Sequence, residues 1–340
     1  MRKQINPKKL IAFAVAGLFV ILQTSCKKDL EKIDAGGSTP GKTGTNASNA
    51  SLVAYKATSH ELAVGYYRTW RDRTVSGNAN DPIMTEVPDS LDIVCNFSNY
   101  TPASSSYWTT LKNTYIPALH AKGTKIVNTQ GFPNVADTSY SNHYTDNAAG
   151  YDAWALATSN QYADMGYDGI DFDVEYNPTG AKLATQTGMT KSLSKYFGPK
   201  SGTGKLLIFD TNQSGTNNLF RQVNTYIDYL FLQAYGRGTN GMQSTWATFA
   251  PYINSKQFVI GFSFYEENGY PSNYWDDVIY PQNGKGRAYD YARWEPVTGK
   301  KGGVLSYAID RDAPLASPHD NNIVKPNFKV TKDLIKIMNP

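Results

Sequence analysis

From about His60 onward the chain carries eight short apolar runs spaced roughly thirty residues apart, and that spacing restricts the fold more than any other feature. The runs are ELAVGYY, LDIVCNF, TKIVNTQ, YDGIDFDVEY, KLLIFDTN, DYLFLQAYG, QFVIGFSFY and GGVLSYAID. Helix-like segments such as WTTLKNTYIPALHAKG, YDAWALATSNQYADMG and AKLATQTGMTKSLSKYFG separate several of them, each closing near a glycine able to cap a helix. Strands alternating with helices imply crossover units and a parallel sheet. Eight units over roughly 280 residues predict a closed (β/α)8 barrel of the α/β class, a single domain over residues 59–340. In such barrels the reactive groups come from the C-terminal ends of the strands and the loops that follow. The alternative is an open doubly wound sheet, which would more often show a Gly-rich phosphate loop after the first strand; VGYYRTWRD has none.

Ahead of the barrel, residues 1–25 read as a secretory signal, with Arg2, Lys3, Lys8 and Lys9 preceding an apolar run from Leu10 to Leu22. That run is short for a membrane span and stops directly before Cys26. LQTSC resembles a bacterial lipobox, with Gln23 where a Leu is usual. The resemblance implies cleavage before Cys26, acylation of its thiol and a lipid anchor in a membrane. Residues 26–58, rich in Gly, Ser, Thr and Asn, then read as a flexible tether that displays the barrel at the outer-membrane surface of a Gram-negative cell. The formal net charge is +4, and the four basic residues of the signal have no acidic counterpart there, so the remainder is close to neutral. A nucleic-acid partner, which demands a concentrated basic face, is not expected. His60, His120, His143 and His319 are scattered without ligand spacing, so neither a metal nor another cofactor is expected. Cys95 lies in an apolar run and reads as a buried free thiol. Aromatic residues make up 13% of the chain, which suits a flat, polar-edged ligand such as a sugar as well as it suits a core.

The fourth run carries the chemistry. In YDGIDFDVEYN the apolar Ile170, Phe172 and Val174 alternate with Asp171, Asp173 and Glu175. Successive strand side chains point to opposite faces, so the carboxylates share the barrel interior and Glu175 lies nearest the C-terminal mouth. A buried salt-bridge layer would need a matching row of Lys or Arg on neighbouring strands, and none appears. Like charges this close cannot all ionise. Protons are shared along the row, and a carboxyl kept protonated near neutral pH can serve as a general acid.

Asp168, Asp171, Asp173 and Glu175, with Gly169 between, stand as D-x-x-D-x-D-x-E. This resembles the signature of glycoside hydrolase family 18, which comprises chitinases and endo-β-N-acetylglucosaminidases built on a (β/α)8 barrel with the motif on its fourth strand. The resemblance implies retaining, substrate-assisted catalysis, an exception to the usual two-carboxylate scheme. Glu175 would protonate the leaving oxygen and then activate water. Asp173 would orient the 2-acetamido group that attacks the anomeric carbon, and Asp171 would share its proton. Tyr235, at the end of the sixth strand, would bond the acetamido carbonyl. Chitinases typically have M-x-Y-D there, whereas this chain has Gln233, Tyr235 and Gly236. GGVLSYAIDRD places Tyr307 where most chitinases have a Trp and is similar to the end found in endoglycosidase H and F type enzymes. Those cut the GlcNAcβ1-4GlcNAc bond of the N-glycan core, so N-glycans and glycoproteins are the expected partners, high-mannose glycans first. Tyr66, Trp70, Phe97, Asn212 and Tyr265, near predicted strand ends, join Gln233 and Tyr307 as expected sugar contacts. The rival readings are a chitinase acting on chito-oligosaccharides and a catalytically silent surface glycan-binding protein.

Overall fold

The computed structural model describes residues 44–269 and 275–340, with side chains from residue 49. The signal, Cys26 and most of the tether lie outside the described residues. The eight apolar runs form β1 (Leu62–Arg68), β2 (Ile93–Phe97), β3 (Lys125–Gln130), β4 (Gly169–Asp173), β5 (Leu206–Thr211), β6 (Tyr229–Gln233), β7 (Phe258–Ser263) and β8 (Gly303–Tyr307). They close into a parallel barrel in sequence order, with β8 pairing back onto β1. The expected helices pack outside it; Ala148–Met165 ends on Gly166 in the left-handed region, where a glycine avoids the Cβ penalty.

Alternation decides what faces where. Ile170 and Phe172 point outward into the layer between barrel and helices, and Phe172 stacks flat on Phe132 at 4.0 Å. Inward, the lower barrel is filled by Val64, Ile93, Val127, Ile208, Phe231, Val259 and Leu305, a packed plug. Above this plug the interior turns polar, with Asp171 and Asp210 both buried. Gly169 opens β4 because a Cβ there would lie 2.5 Å from the Leu206 carbonyl oxygen of β5. The ladder pairs Asp171 with Ile208 and Asp173 with Asp210.

The ordered structure begins earlier than the sequence suggests. A helix spans Gly44–Lys56, inside the stretch read as a flexible tether. Its end is fixed to the barrel by Lys56, whose Nζ donates to the carbonyls of Asp89 and Leu91 and to Thr124 Oγ1, each at 2.7 Å. Polar composition hid this anchor, because the helix offers few apolar side chains.

Candidate active site

A cavity of about 750 Å³ opens at the C-terminal mouth of the barrel. Its floor and walls include Asp173, Glu175, Gln233, Tyr235, Tyr307, Asn212, Tyr66 and Phe97, so eight of the residues expected from the sequence come together there. Asp171 lies beneath it, fully buried.

The carboxylate row is built by the strand and by what receives it. Tyr66 Oη of β1 and Thr129 Oγ1 of β3 donate to Asp171 Oδ2, at 2.7 and 2.9 Å. Burial nevertheless pushes the Asp171 carboxyl up to about 7, with the charge of Asp173 adding to it against those two donors. Asp173, two residues nearer the mouth, is pushed up to about 6 by burial and by the Glu175 charge, while a hydrogen bond from Gln233 opposes the rise. The Gln233 Nε2 reaches Asp173 Oδ1 at 3.1 Å and Asp210 Oδ2 at 2.9 Å. Past the end of β4, Val174 N donates to the Asp210 carbonyl at 2.8 Å and Thr211 Oγ1 donates to the Val174 carbonyl at 2.6 Å. These bonds hold Glu175 at the rim, exposed, with Asn212 Nδ2 at 3.3 Å from its Oε2. Among the described residues no Lys, Arg or His forms an ion pair with any of these acids. No group of three or more His, Cys, Asp or Glu among the described residues is arranged to hold a metal ion.

The aromatic wall stands beside the acids. Tyr307 packs against Phe97 and Tyr235, with centroids 5.9 and 6.2 Å apart, and its hydroxyl donates to Glu266 Oε2 at 3.2 Å. Glu266 is fixed by Arg68, a fully buried guanidinium at the end of β1 that also grips Glu267 and Asp310. That cluster ties the loop after β7 to the rim. Burial and the neighbouring carboxylates hold the Tyr235 phenol well above its ordinary range, so it stays a hydrogen-bond donor.

Two expected sugar contacts are misplaced. Trp70 lies one row back, its ring against Phe97 at 5.7 Å and Tyr100 at 4.8 Å. Tyr265 faces away from the cavity, donating to Asn321 Oδ1 at 2.7 Å and packing near His319. Both lie two residues past a strand end, as Glu175 and Tyr235 do, but Trp70 sits in a helical turn over Thr69–Arg71 and the Tyr265 hydroxyl is held by Asn321, so strand alternation does not set their direction. The sequence reading in turn missed Asp210, Arg237, Glu266, Tyr100 and Trp275, all on the cavity wall. For Asp210 the signal was present: it occupies the inward parity of KLLIFDTN, as Asp171 and Asp173 do on β4. Trp275 comes from a loop with no periodicity, and it faces Gly236, where a Cβ would lie 3.0 Å from the indole.

A closed parallel barrel with a row of acids at the C-terminal end of β4 and an aromatic wall above it defines a glycoside hydrolase. Residues 65–306 match the family model of the endo-β-N-acetylglucosaminidase EndoS TIM-barrel domain, and the chain belongs to that family of endo-β-N-acetylglucosaminidases. It is 51% identical to endo-β-N-acetylglucosaminidase F2 of Elizabethkingia meningoseptica, over 99% of this chain and 100% of the relative. Among solved structures it is similar to an endo-β-N-acetylglucosaminidase from Cordyceps militaris, with 42% identity, a TM-score of 0.79 and coverage of 89% of this chain and 98% of that one. A mutant of that enzyme, at 41% identity, a TM-score of 0.79 and the same coverage of both chains, is in complex with fucosyl-N-acetylglucosamine-Asn. The likeness to family 18 endoglycosidases, read from the fourth strand, is thereby borne out.

Proposed function

We propose that this endo-β-N-acetylglucosaminidase hydrolyses the GlcNAcβ1-4GlcNAc bond of the N-glycan core with retention, taking its nucleophile from the substrate. Glu175 protonates the departing glycosidic oxygen and afterwards draws a proton from the incoming water. Asp173 turns the 2-acetamido group toward the anomeric carbon and balances the positive charge that develops on it. Asp171 holds the proton that Asp173 sheds, and Tyr235 donates to the acetamido carbonyl. The single observation that carries this reading is the placement of an exposed Glu175 directly above two acids whose pKa values are raised, with no cation at ion-pair distance among the described residues. Only a group that gains or loses protons during the reaction gives that costly arrangement a use. The Cordyceps militaris complex supports it further: that variant has an Asp replaced by Asn and a Glu two positions on replaced by Gln, the spacing of Asp173 and Glu175.

The test is mass spectrometry of a high-mannose glycoprotein, and of one with complex-type glycans, after incubation with the full chain. Asparagine left carrying one GlcNAc is the expected product, and Glu175→Gln should lower the rate by about 10²–10⁴-fold. Release at wild-type rate by Glu175→Gln would refute the acid assignment. Cleavage confined to chito-oligosaccharides would establish a chitinase. The anchor belongs to the same proposal: the signal over residues 1–25 and an acylated Cys26 place the enzyme on the outer membrane, facing glycoproteins. Expressed in a Gram-negative host, Cys26→Ala should move the enzyme from the membrane fraction to the soluble one; unchanged membrane recovery argues against the anchor.

A further inference from the structure

Asp210 is the buried acid for which the mechanism above has no use. It comes from β5, its side chain is almost fully buried, and Oδ1 has no hydrogen-bond partner. Asp171 Oδ1, on the neighbouring strand, is buried and unpartnered as well. Two carboxylates that each bury a bare oxygen against the other's charge cost several kcal/mol. One proton removes most of that cost, because a carboxylic acid O–H can donate where two carboxylates repel. The groups facing Asp210 include no base stronger than a carboxylate and no cation: Tyr66 from β1, Cys95 from β2, Asp171 and Asp173 from β4, Gln233 from β6 and Tyr235 just past its end. Burial first, then the charges of Asp171 and Asp173, push the Asp210 carboxyl well above its ordinary range.

The other oxygen of Asp210 has a different task. Oδ2 accepts from Gln233 Nε2, the same nitrogen that donates to Asp173 Oδ1. An amide nitrogen has two N–H groups, and each carboxylate takes one. Asp210 therefore fixes the rotation of the amide that steadies Asp173.

We propose that Asp210 is a positioning residue of the hydrolytic site, sharing one proton with Asp171 across the barrel interior and orienting the Gln233 amide toward Asp173. A proton that leaves Asp210 goes to Asp171, so the resting pair keeps one negative charge until Asp171 takes the proton that Asp173 sheds. This rests on the reading of Asp173 and Glu175 as the reacting pair, and it adds a proton store beside Asp173.

The test combines infrared spectroscopy with kinetics on the full chain carrying Asp210→Asn or Asp210→Leu. At about pH 8, where a lone Asp171 would have lost its proton, the wild type should show a protonated-carboxyl band that Asp210→Asn abolishes. Asp210→Leu, which offers Gln233 no acceptor, should lose about 100-fold in kcat with KM within about threefold. Asp210→Asn, whose amide oxygen still accepts, should recover about tenfold of that loss. A band absent from the wild type, or one persisting in Asp210→Asn, overturns the shared proton. A kcat within about twofold of wild type in Asp210→Leu overturns the positioning role. An active Glu175→Gln would sink the catalytic reading instead, while the infrared band would still decide where the proton resides.

Discussion

Asp168, just before β4, and Asp171, in the middle of it, stand three residues apart and meet opposite fates. At the N-terminal face Asp168 accepts from the Ile126 amide at 2.8 Å and faces His120 Nε2 at 2.7 Å. Burial draws its carboxyl upward, but His120, the Ile126 N–H and the charge of Lys125 together outweigh it, and the group lies below its ordinary range. Inside the barrel Asp171 receives two hydroxyls and no cation, keeps one oxygen bare, and is pushed up. The strand and the residue type are the same, so the difference comes from the partners. One acid is satisfied by its partners and stays ionised, and the other is left short of them and takes a proton more readily.

Asp171→Asn should sharpen that contrast most. It removes a proton carrier from beneath Asp173, and kcat should fall by about 10- to 100-fold. Stability should move the other way. In the wild type the folded chain holds a proton that the unfolded chain releases between pH 3.8 and about 7, so stability falls as pH rises through that window and the penalty is complete above it. The Asn variant escapes this penalty and should be more stable at about pH 8, by about 1–3 kcal/mol, with no advantage at about pH 3. A variant that melts lower at both pH values would break the comparison. The smaller effect is expected from Asp168→Ala, which strands the Ile126 N–H. It should cost about 1–2 kcal/mol at about pH 7 while leaving kcat unchanged. Because the folded pKa of Asp168 is depressed, its contribution is present above pH 3.8 and lost as pH falls through the folded value, so wild type and variant should converge in acid. Urea titrations at several pH values would measure both changes.

The barrel was legible because each strand leaves an apolar run and several crossovers a helix-like spacer, and all eight runs became strands. The site was legible where charge made the alternation visible, on β4, and where a single polar residue closed a run, as with Gln233 and Tyr307. It was illegible in two physical situations. Beyond a strand end the backbone turns, so Trp70 and Tyr265 took directions that strand parity could not predict. On the rim, Tyr100, Glu266 and Trp275 are placed by loop geometry and by the Arg68 ion cluster, both products of tertiary structure. Asp210 was readable in principle, since the parity rule that exposed Asp171 applies equally to β5.

The plug of Phe231, Leu305 and their neighbours beneath the acids makes the pocket a dead end. Substrate, water and both products must share one doorway at the C-terminal rim, and nothing can be threaded through. A folded glycoprotein can therefore be served without unfolding, provided that its sugar projects far enough from its own surface to enter the pocket past Glu175. The severed glycan has to back out the way it came before the next one enters. Turnover on bulky substrates is thus a matter of traffic at that rim as much as of chemistry on the floor.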